Sequence, residues 1–170
     1  MDFLPLAQNR FSCRQYSDRE VEPEKLSMIL QAATWAPTAC NYQPWKAWAF
    51  TGPAAEAARQ AAATPFVTPV IIIVGAKEES AWVRRYDRRN FADVDATIAA
   101  THMMLAVEEL GLGTVWVGHF DVDSLKAAYP DMKDYDLIAL FPIGYPADDV
   151  VPSSWHDIRK PDEELFEVLS

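Results

Sequence analysis

The chain of 170 residues is acidic, with a net charge of -10 at pH 7 and a pI near 4.7. Half of its residues are apolar, which excludes an intrinsically disordered chain and suffices for one core, so we expect a single domain over residues 1–170. The acidic balance argues against nucleic acid or an anionic membrane as partner, because either needs a basic face. Two cysteines, no secretory leader pattern and no apolar run of membrane-spanning length predict a cytoplasmic protein.

A short alternation of anion-binding side chains near the start of the chain contrasts with this acidic background. Arg10, Ser12 and Arg14 occupy every second position, so an extended segment would place all three on one side. Guanidinium groups and a hydroxyl are suitable donors to phosphate oxygens. The pattern favours an anion site, and the alternative is a solvated segment with two unrelated arginines.

The first half of the chain is predicted to form two helices and two strands. The first helix begins at residue 23, with proline in its first turn, and ends before Pro37. Residues 45–51 are predicted to form a strand and residues 54–63 an alanine-rich helix. Residues 70–74 are β-branched without interruption, which indicates a central strand buried on both faces.

Residues 78–90 contain four arginines among aromatic residues. A run of charges usually forms a solvated face of the molecule. The functional alternative is a mobile flap over a ligand site.

The second half of the chain contains the longest predicted helix, residues 93–110, which is apolar on nearly all sides. At a rise of ~1.5 Å per residue it would be about 27 Å long, which one subunit of this size can hardly cover, so we expect a dimer. The other predicted elements are strands at 114–120 and 137–145, helices at 121–129 and 162–169, and a loop at 147–161. Because strands and helices do not alternate strictly, the predicted fold class is α+β.

The chain lacks the motifs of common nucleotide and hydrolase sites. Gly111 and Gly113 begin a dinucleotide-like pattern, but Trp116 replaces the third glycine and the pattern follows a helix instead of a strand. The three histidines have no metal-ligand spacing, so no metal site is expected. No acid–base pair stands out, so an enzyme of this sequence would use a cofactor, and we predict no catalytic side chain.

Four short motifs occur in a fixed order along the chain. They are Arg10-x-Ser12-x-Arg14, residues 36–45, residues 111–118, and the terminal sequence Arg159-Lys160-Pro161. Together they resemble the FMN-dependent nitroreductase family over essentially the whole chain. The resemblance implies a nitroreductase-like α+β fold, in which helices flank a central, mostly antiparallel sheet. It also implies an intertwined homodimer with FMN at the subunit interface. The chain is short for the family, and only residues 82–91 are available as a cover.

The resemblance also implies which residues contact FMN. An N-terminal group would bind the phosphate and the pyrimidine side of the ring, and a C-terminal basic pair would close on the phosphate. A loop would come from the partner subunit, and a fourth group would lie along the isoalloxazine with a backbone N–H directed at N5. In chain order these implied contacts are Arg10, Ser12, Arg14, Pro37, Thr38, Asn41, Gln43, Trp116, Val117, Gly118, His119, Arg159 and Lys160. Ordinary core packing is the alternative for Trp116, and a structural histidine is the alternative for His119.

The function implied by the resemblance is oxidoreduction. FMN would take reducing equivalents from NADH or NADPH and pass them to nitroaromatics, quinones or related flat electrophiles. The alternatives are another flavin chemistry of the superfamily, such as reductive dehalogenation or flavin fragmentation, and a flavin-binding sensor or store without efficient turnover. A helical interaction module without a cofactor is the last alternative.

Overall fold

A computed structural model describes residues 2–169, which form a four-stranded sheet with helices packed on both faces. The strands are β1 (Trp45–Thr51), β2 (Val70–Ala76), β3 (Gly113–Thr114) and β4 (Asp136–Gly144), in the order β1-β2-β4-β3. The helices are α1 (Phe3–Asn9), α2 (Pro23–Thr34), α3 (Pro53–Ala61), α4 (Ala92–Glu109), α5 (Val122–Ala128) and α6 (Asp162–Leu165). All neighbouring strands pair antiparallel, which confirms the predicted α+β class and the predicted sheet.

The central strand β2 is buried over its whole length, as its β-branched sequence predicts. Successive side chains of a strand point to opposite faces of the sheet. Ile72 therefore packs in the core that includes Met103 of α4, while Ile71 packs in a second core that includes Leu125 of α5. The two cores lie on opposite faces of one sheet.

Helix α4 buries one side against α2 and the sheet and keeps apolar residues on its other side partly exposed. Ala96, Met103 and Val107 are buried, whereas Ile98 and Leu105 are only half-buried. Helix α4 thus carries apolar residues on its buried side and on its partly exposed side, as predicted. Within one chain, however, part of that apolar surface stays exposed.

Two predicted elements are shorter than expected. The strand predicted at 114–120 is wrong beyond Thr114, because the chain leaves the sheet edge and returns only for an isolated bridge between Val117 and Leu140. The helix predicted at 162–169 ends at Leu165, and Phe166 has extended backbone angles. The apolar side chains Phe166, Val168 and Leu169 are exposed, so no burial within residues 2–169 stabilises a further helical turn.

Helix α1 is absent from the predicted elements, and its weak signal explains why. Its seven residues contain Pro5, no residue of the helix is fully buried, and its N-cap residue Asp2 makes no side-chain capping hydrogen bond. The predicted loop at 147–161, in contrast, contains no helix or strand.

A polar cluster around Tyr145 fixes the end of β4, where the C-terminal segment begins. The Tyr145 hydroxyl donates to the Glu22 carboxylate at 2.8 Å, and Lys25 Nζ donates to that hydroxyl at 2.8 Å and to the Leu110 carbonyl at 2.7 Å. The pKa of Glu22 is lowered to about 2, first by a hydrogen bond from the backbone N–H of Glu22 and then by the Tyr145 hydroxyl and Arg19. The cluster joins the start of α2 to the ends of α4 and β4.

The segment before α2 is anchored to β3 by a close backbone approach. Cys13 N donates to the Thr114 carbonyl at 2.9 Å, and the buried Cys13 side chain lies directly against Gly113. A Cβ at Gly113 would lie 2.7 Å from Cys13 Sγ and 2.8 Å from Cys13 Cβ. Only glycine leaves room for this contact.

We predict that Gly113→Ala lowers the free energy of unfolding by ~1–3 kcal/mol, the usual effect of overpacking a buried site. Adding Cys13→Ala should recover part of the loss, because it removes the Sγ contact but keeps Cβ. The measurement is urea unfolding. Gly118→Ala is the control, because a Cβ at Gly118 would meet no atom within 4 Å. A Gly113→Ala protein as stable as the wild type would contradict the packing described here.

Candidate functional site

The alternating residues near the start of the chain line a pocket of about 210 Å³. Arg10, Ser12 and Arg14 line it as one wall, and Arg159 from the C-terminal segment also lines it. A single parallel bridge from Ser12 to Thr114 holds the wall at the sheet edge in an extended conformation. The structure therefore brings together four of the predicted site residues from the two ends of the chain.

The three guanidinium groups at this pocket form no ion pair with any carboxylate of residues 2–169. Arg14 Nη1 donates to the Ser12 carbonyl at 3.1 Å, and Arg159 Nη1 donates to the Ile158 carbonyl at 2.8 Å. In a chain of net charge -10, three arginines at one pocket without an ion pair among residues 2–169 create a local positive field, which Glu108 near Arg10 offsets in part. The arrangement suits an anion with several oxygens, such as a phosphate.

The sequence does not single out three further residues that line this pocket. Ser153, Trp155 and His156 come from the loop at 147–161, and Trp155 is 79% exposed at its rim. A cavity of about 460 Å³ adjoins the pocket and shares His156 and Arg159 with it. The only sequence signal for these residues is their position just before Arg159, in a segment with no predicted structure.

Lys160 does not join Arg159 at the pocket. Its Nζ lies 3.3 Å from Glu164 Oε2, one turn further along the chain, and its side chain is largely exposed. The C-terminal basic pair implied by the resemblance is therefore split in this chain. Arg159 lines the pocket and Lys160 pairs with a neighbouring carboxylate.

The loop with the second group of predicted residues has an unusual backbone. Cys40, Asn41 and Gln43 all have positive φ values, of 51°, 57° and 51°. Residues other than glycine seldom adopt this region of backbone angles. Thr38 Oγ1 accepts from Gln43 N at 3.1 Å, and Gln43 Nε2 donates to Asn41 Oδ1 at 3.2 Å. These bonds present both amide side chains at the surface, and Pro37 beside them is also exposed. None of these residues lines the arginine pocket.

A buried carboxylate of α4 supports this loop. Asp95 is 1% exposed, and its Oδ1 accepts from Ala39 N at 2.9 Å. Its Oδ2 has no hydrogen-bond partner among the described residues. Because a buried carboxylate is costly without donors, this single bond makes Asp95 a specific anchor for the strained loop.

The third predicted group follows β3 along the same edge of β4 and does not line the arginine pocket. The Trp116 ring packs edge-on against Phe141 at 5.1 Å, so the core-packing interpretation accounts for this side chain. Val117 is buried and bonds through its backbone to Leu140, while Gly118 and His119 are exposed. A Cβ at Gly118 would meet nothing within 4 Å, so the backbone there is open to a flat ligand.

Helix α4 separates the arginine pocket from the Asn41–Gln43 loop. Near its C-terminal end, burial raises the pKa of Glu108, and the nearby Arg10 and His156 oppose that rise. Near its N-terminal end, Asp95 holds the loop. Thirteen residues separate Glu108 from Asp95, which corresponds to about 20 Å along a helix. The two groups of predicted residues are therefore far apart within one chain.

The described part of the chain shows neither a cluster of metal ligands nor a helix that could span a membrane. Residues 2–169 contain no group of three or more metal-ligating side chains. No helix among them combines the length and the apolar character that crossing a membrane requires.

We predict that Asp95→Ala speeds hydrogen exchange of the Ala39 amide by at least ~10-fold, because the amide loses its charged acceptor. Asp95→Asn keeps an acceptor oxygen and should protect this amide better than alanine does. Asp93→Ala, an exposed change on the same turn, is the control. Equal exchange in Asp95→Ala and the wild type would show that Asp95 does not hold the loop.

Comparisons with known proteins identify the family of the chain. The model of the nitroreductase family matches residues 7–68 and 58–145 of the chain. A crystal structure of a nitroreductase family protein from Clostridium difficile 630 is 32% identical, with a TM-score of 0.89 over 100% of this chain and 99% of that one.

Two other proteins resemble the chain over most of its length. A Methanothermobacter thermautotrophicus protein with the provisional name NADH dehydrogenase/NAD(P)H nitroreductase is 29% identical over 87% of this chain and 79% of its own. A Desulfovibrio desulfuricans protein, solved in complex with FMN, is 27% identical with a TM-score of 0.78 and covers 98% of this chain and 96% of its own. By the match of the family model and the likeness of the fold, the chain belongs to the nitroreductase family.

Proposed function

We propose that the protein is an FMN-dependent oxidoreductase that uses NADH or NADPH to reduce nitroaromatics, quinones or related flat electrophiles. The observation that carries this proposal is the pocket lined by Arg10, Arg14 and Arg159, none of which forms an ion pair with a carboxylate of residues 2–169. The names of related proteins describe nicotinamide-dependent oxidoreductases, and one related structure was solved in complex with FMN. This second line of support is independent of the pocket.

The residues at the pocket fit the phosphate of FMN. A phosphate dianion needs several charged donors, which the three arginines provide, and Ser12 adds a neutral donor. A positive charge near the pyrimidine side of the ring would also stabilise its reduced, anionic form. When bound, FMN supplies the ability to accept a hydride from a nicotinamide and to deliver it to an acceptor.

The open backbone at Gly118 provides a place for the flavin ring. Within residues 2–169 no side chain fills the space over this residue, and Trp116 and Val117 are held by Phe141 and Leu140. A backbone fixed in this way keeps its N–H groups in place while a flat ligand approaches. The role of these residues is to orient the ring, and none needs to transfer a proton.

A homodimer would complete the site. Within one chain, Asn41 and Gln43 lie near the far end of α4 from the arginine pocket, so a second subunit is the natural source of the loop beside each flavin. The large exposed apolar side chains support such an interface. They include Trp35, Trp155, Ile158, Phe166, Val168 and Leu169. We propose that these surfaces pair in a cytoplasmic homodimer with FMN between the subunits.

The purified protein should be yellow, and Arg10→Ala combined with Arg159→Ala should weaken FMN binding by ~100-fold or more. Each charged donor to phosphate contributes ~1.5–3 kcal/mol, and the two losses combine. Flavin content and FMN titration give the measurement. Lys126→Gln with Lys133→Gln, which removes two positive charges elsewhere, is the control. Full flavin content in the arginine variant would contradict the phosphate assignment.

Turnover tests the enzymatic part of the proposal separately. NADH and NADPH oxidation should depend on menadione or a nitrofuran as acceptor, and the rate should fall with flavin content in the arginine variant. Bound FMN without any turnover would identify a flavin-binding protein that is not this oxidoreductase.

A further inference from the structure

The arginine-rich segment between β2 and α4 forms a tight hairpin. Val83 and Asn90 pair as an antiparallel bridge, and Arg84 N donates to the Arg89 carbonyl at 2.9 Å. Arg88 N donates to the Arg84 carbonyl at 2.9 Å, and Arg88 adopts a positive φ of 61°. The segment is thus a defined surface structure, which we call the arginine hairpin (residues 83–90).

Most of the positive charge on the arginine hairpin is uncompensated. Asp87 is its one acidic residue, and Arg84 engages it through two hydrogen bonds. Arg85, Arg88 and Arg89 are exposed and form no ion pair with any residue of 2–169. On a chain of net charge -10, three exposed and unpaired arginines within five residues form a candidate anion site.

The arginine hairpin also presents an aromatic surface. The Tyr86 ring is 82% exposed, and the Arg85 guanidinium lies 4.8 Å from its centroid. An exposed aromatic ring next to a guanidinium can stack a purine base, with each stacked base contributing ~1–3 kcal/mol. The hairpin therefore combines phosphate donors with a platform for a base.

The position of the arginine hairpin connects it to the proposed active site. Arg84 and Arg89 both pack on the Phe91 ring, with guanidinium carbons 5.5 Å from its centroid. The Phe91 carbonyl accepts from Asp95 N at 2.9 Å, and Asp95 in turn holds Ala39. The hairpin and the loop that would meet the flavin thus share the first turn of α4.

We propose that the arginine hairpin binds the adenosine end of the nicotinamide cosubstrate and that Arg85 and Arg88 recognise its 2′-phosphate, which makes NADPH the preferred reductant. This inference rests on the proposed function, because it assigns one substrate to the same site. Guanidinium groups are the usual partners of a 2′-phosphate on the adenosine ribose. The base would stack on Tyr86, and the nicotinamide end would extend toward the flavin.

The direct test is a titration of the FMN-loaded protein with 2′,5′-ADP and with 5′-AMP, followed by Trp fluorescence or calorimetry. The wild type should bind 2′,5′-ADP at least ~10-fold more tightly than 5′-AMP, the effect of one or more charged hydrogen bonds. Arg85→Gln with Arg88→Gln should abolish this difference. Lys126→Gln with Lys133→Gln, which removes the same charge elsewhere, should preserve it.

Stopped-flow reduction of the bound flavin gives the second readout. In the hairpin variant the apparent second-order rate constant with NADPH should fall at least ~10-fold, while that with NADH should change less than about twofold. Equal affinity of the wild type for the two adenosine nucleotides, or an undiminished preference in the variant, would overturn the inference. Binding of inorganic pyrophosphate as tight as that of 2′,5′-ADP would overturn it as well.

The titration remains informative even if neither nicotinamide reduces the flavin. Selective binding of 2′,5′-ADP without flavin reduction would contradict the proposed oxidoreductase and leave the hairpin assignment intact. Flavin reduction without selectivity for 2′,5′-ADP would support the proposed oxidoreductase and overturn the hairpin assignment.

Discussion

The length of α4 is the constraint on which the arrangement of the site depends. One end of the helix lies beside Arg10 and His156, and the other end holds the loop of Asn41 and Gln43 through Asp95. A helix of this length is rigid, and its rise of ~1.5 Å per residue keeps the two ends about 20 Å apart. The two groups that would hold one flavin therefore cannot meet within a chain, and the half-buried side of α4 indicates why a second chain would associate.

The distribution of arginines on this acidic chain determines which ligands the protein can bind. The chain is strongly acidic, yet within residues 2–169 the arginines at the pocket and on the arginine hairpin form no ion pair with a carboxylate, apart from Arg84. Guanidinium groups without counter-charges repel one another and are stabilised by an anion. Folding brings the pocket arginines together from the two ends of the chain, so phosphate binding would also link the C-terminal segment to the rest of the domain.

The sequence predicts most of the fold because its strongest signals are local. The strand at Trp45–Thr51 is predicted to the residue, and the buried strand and the long helix differ from the predictions by one or two residues at their ends. The errors occur where tertiary contacts decide the structure. The edge strand ends at Thr114, where the chain leaves the sheet, and α6 ends before Phe166, whose side chain is exposed within residues 2–169.

The candidate site is predictable only in part for the same reason. Alternation along an extended segment predicts that Arg10, Ser12 and Arg14 share a face, and the pocket agrees with this. No local pattern predicts that Trp155 and His156 line the same pocket, or that Asp95 holds a loop more than fifty residues away in the chain. These contacts depend on how segments distant in sequence pack together, and such packing leaves no periodic pattern of residues that one sequence could show.

The central claim is that each flavin site is built from two chains, and mixed dimers test it most directly. One chain would carry Arg10→Ala and Arg159→Ala, and the other Asn41→Gly and Gln43→Gly, which keep the positive φ values accessible. If the site is shared, a mixed dimer has one site with every defect and one with none, so it should bind one FMN with wild-type affinity. If each site lay within one chain, every site would carry a defect, and a mixed dimer without any site of wild-type affinity would contradict the account.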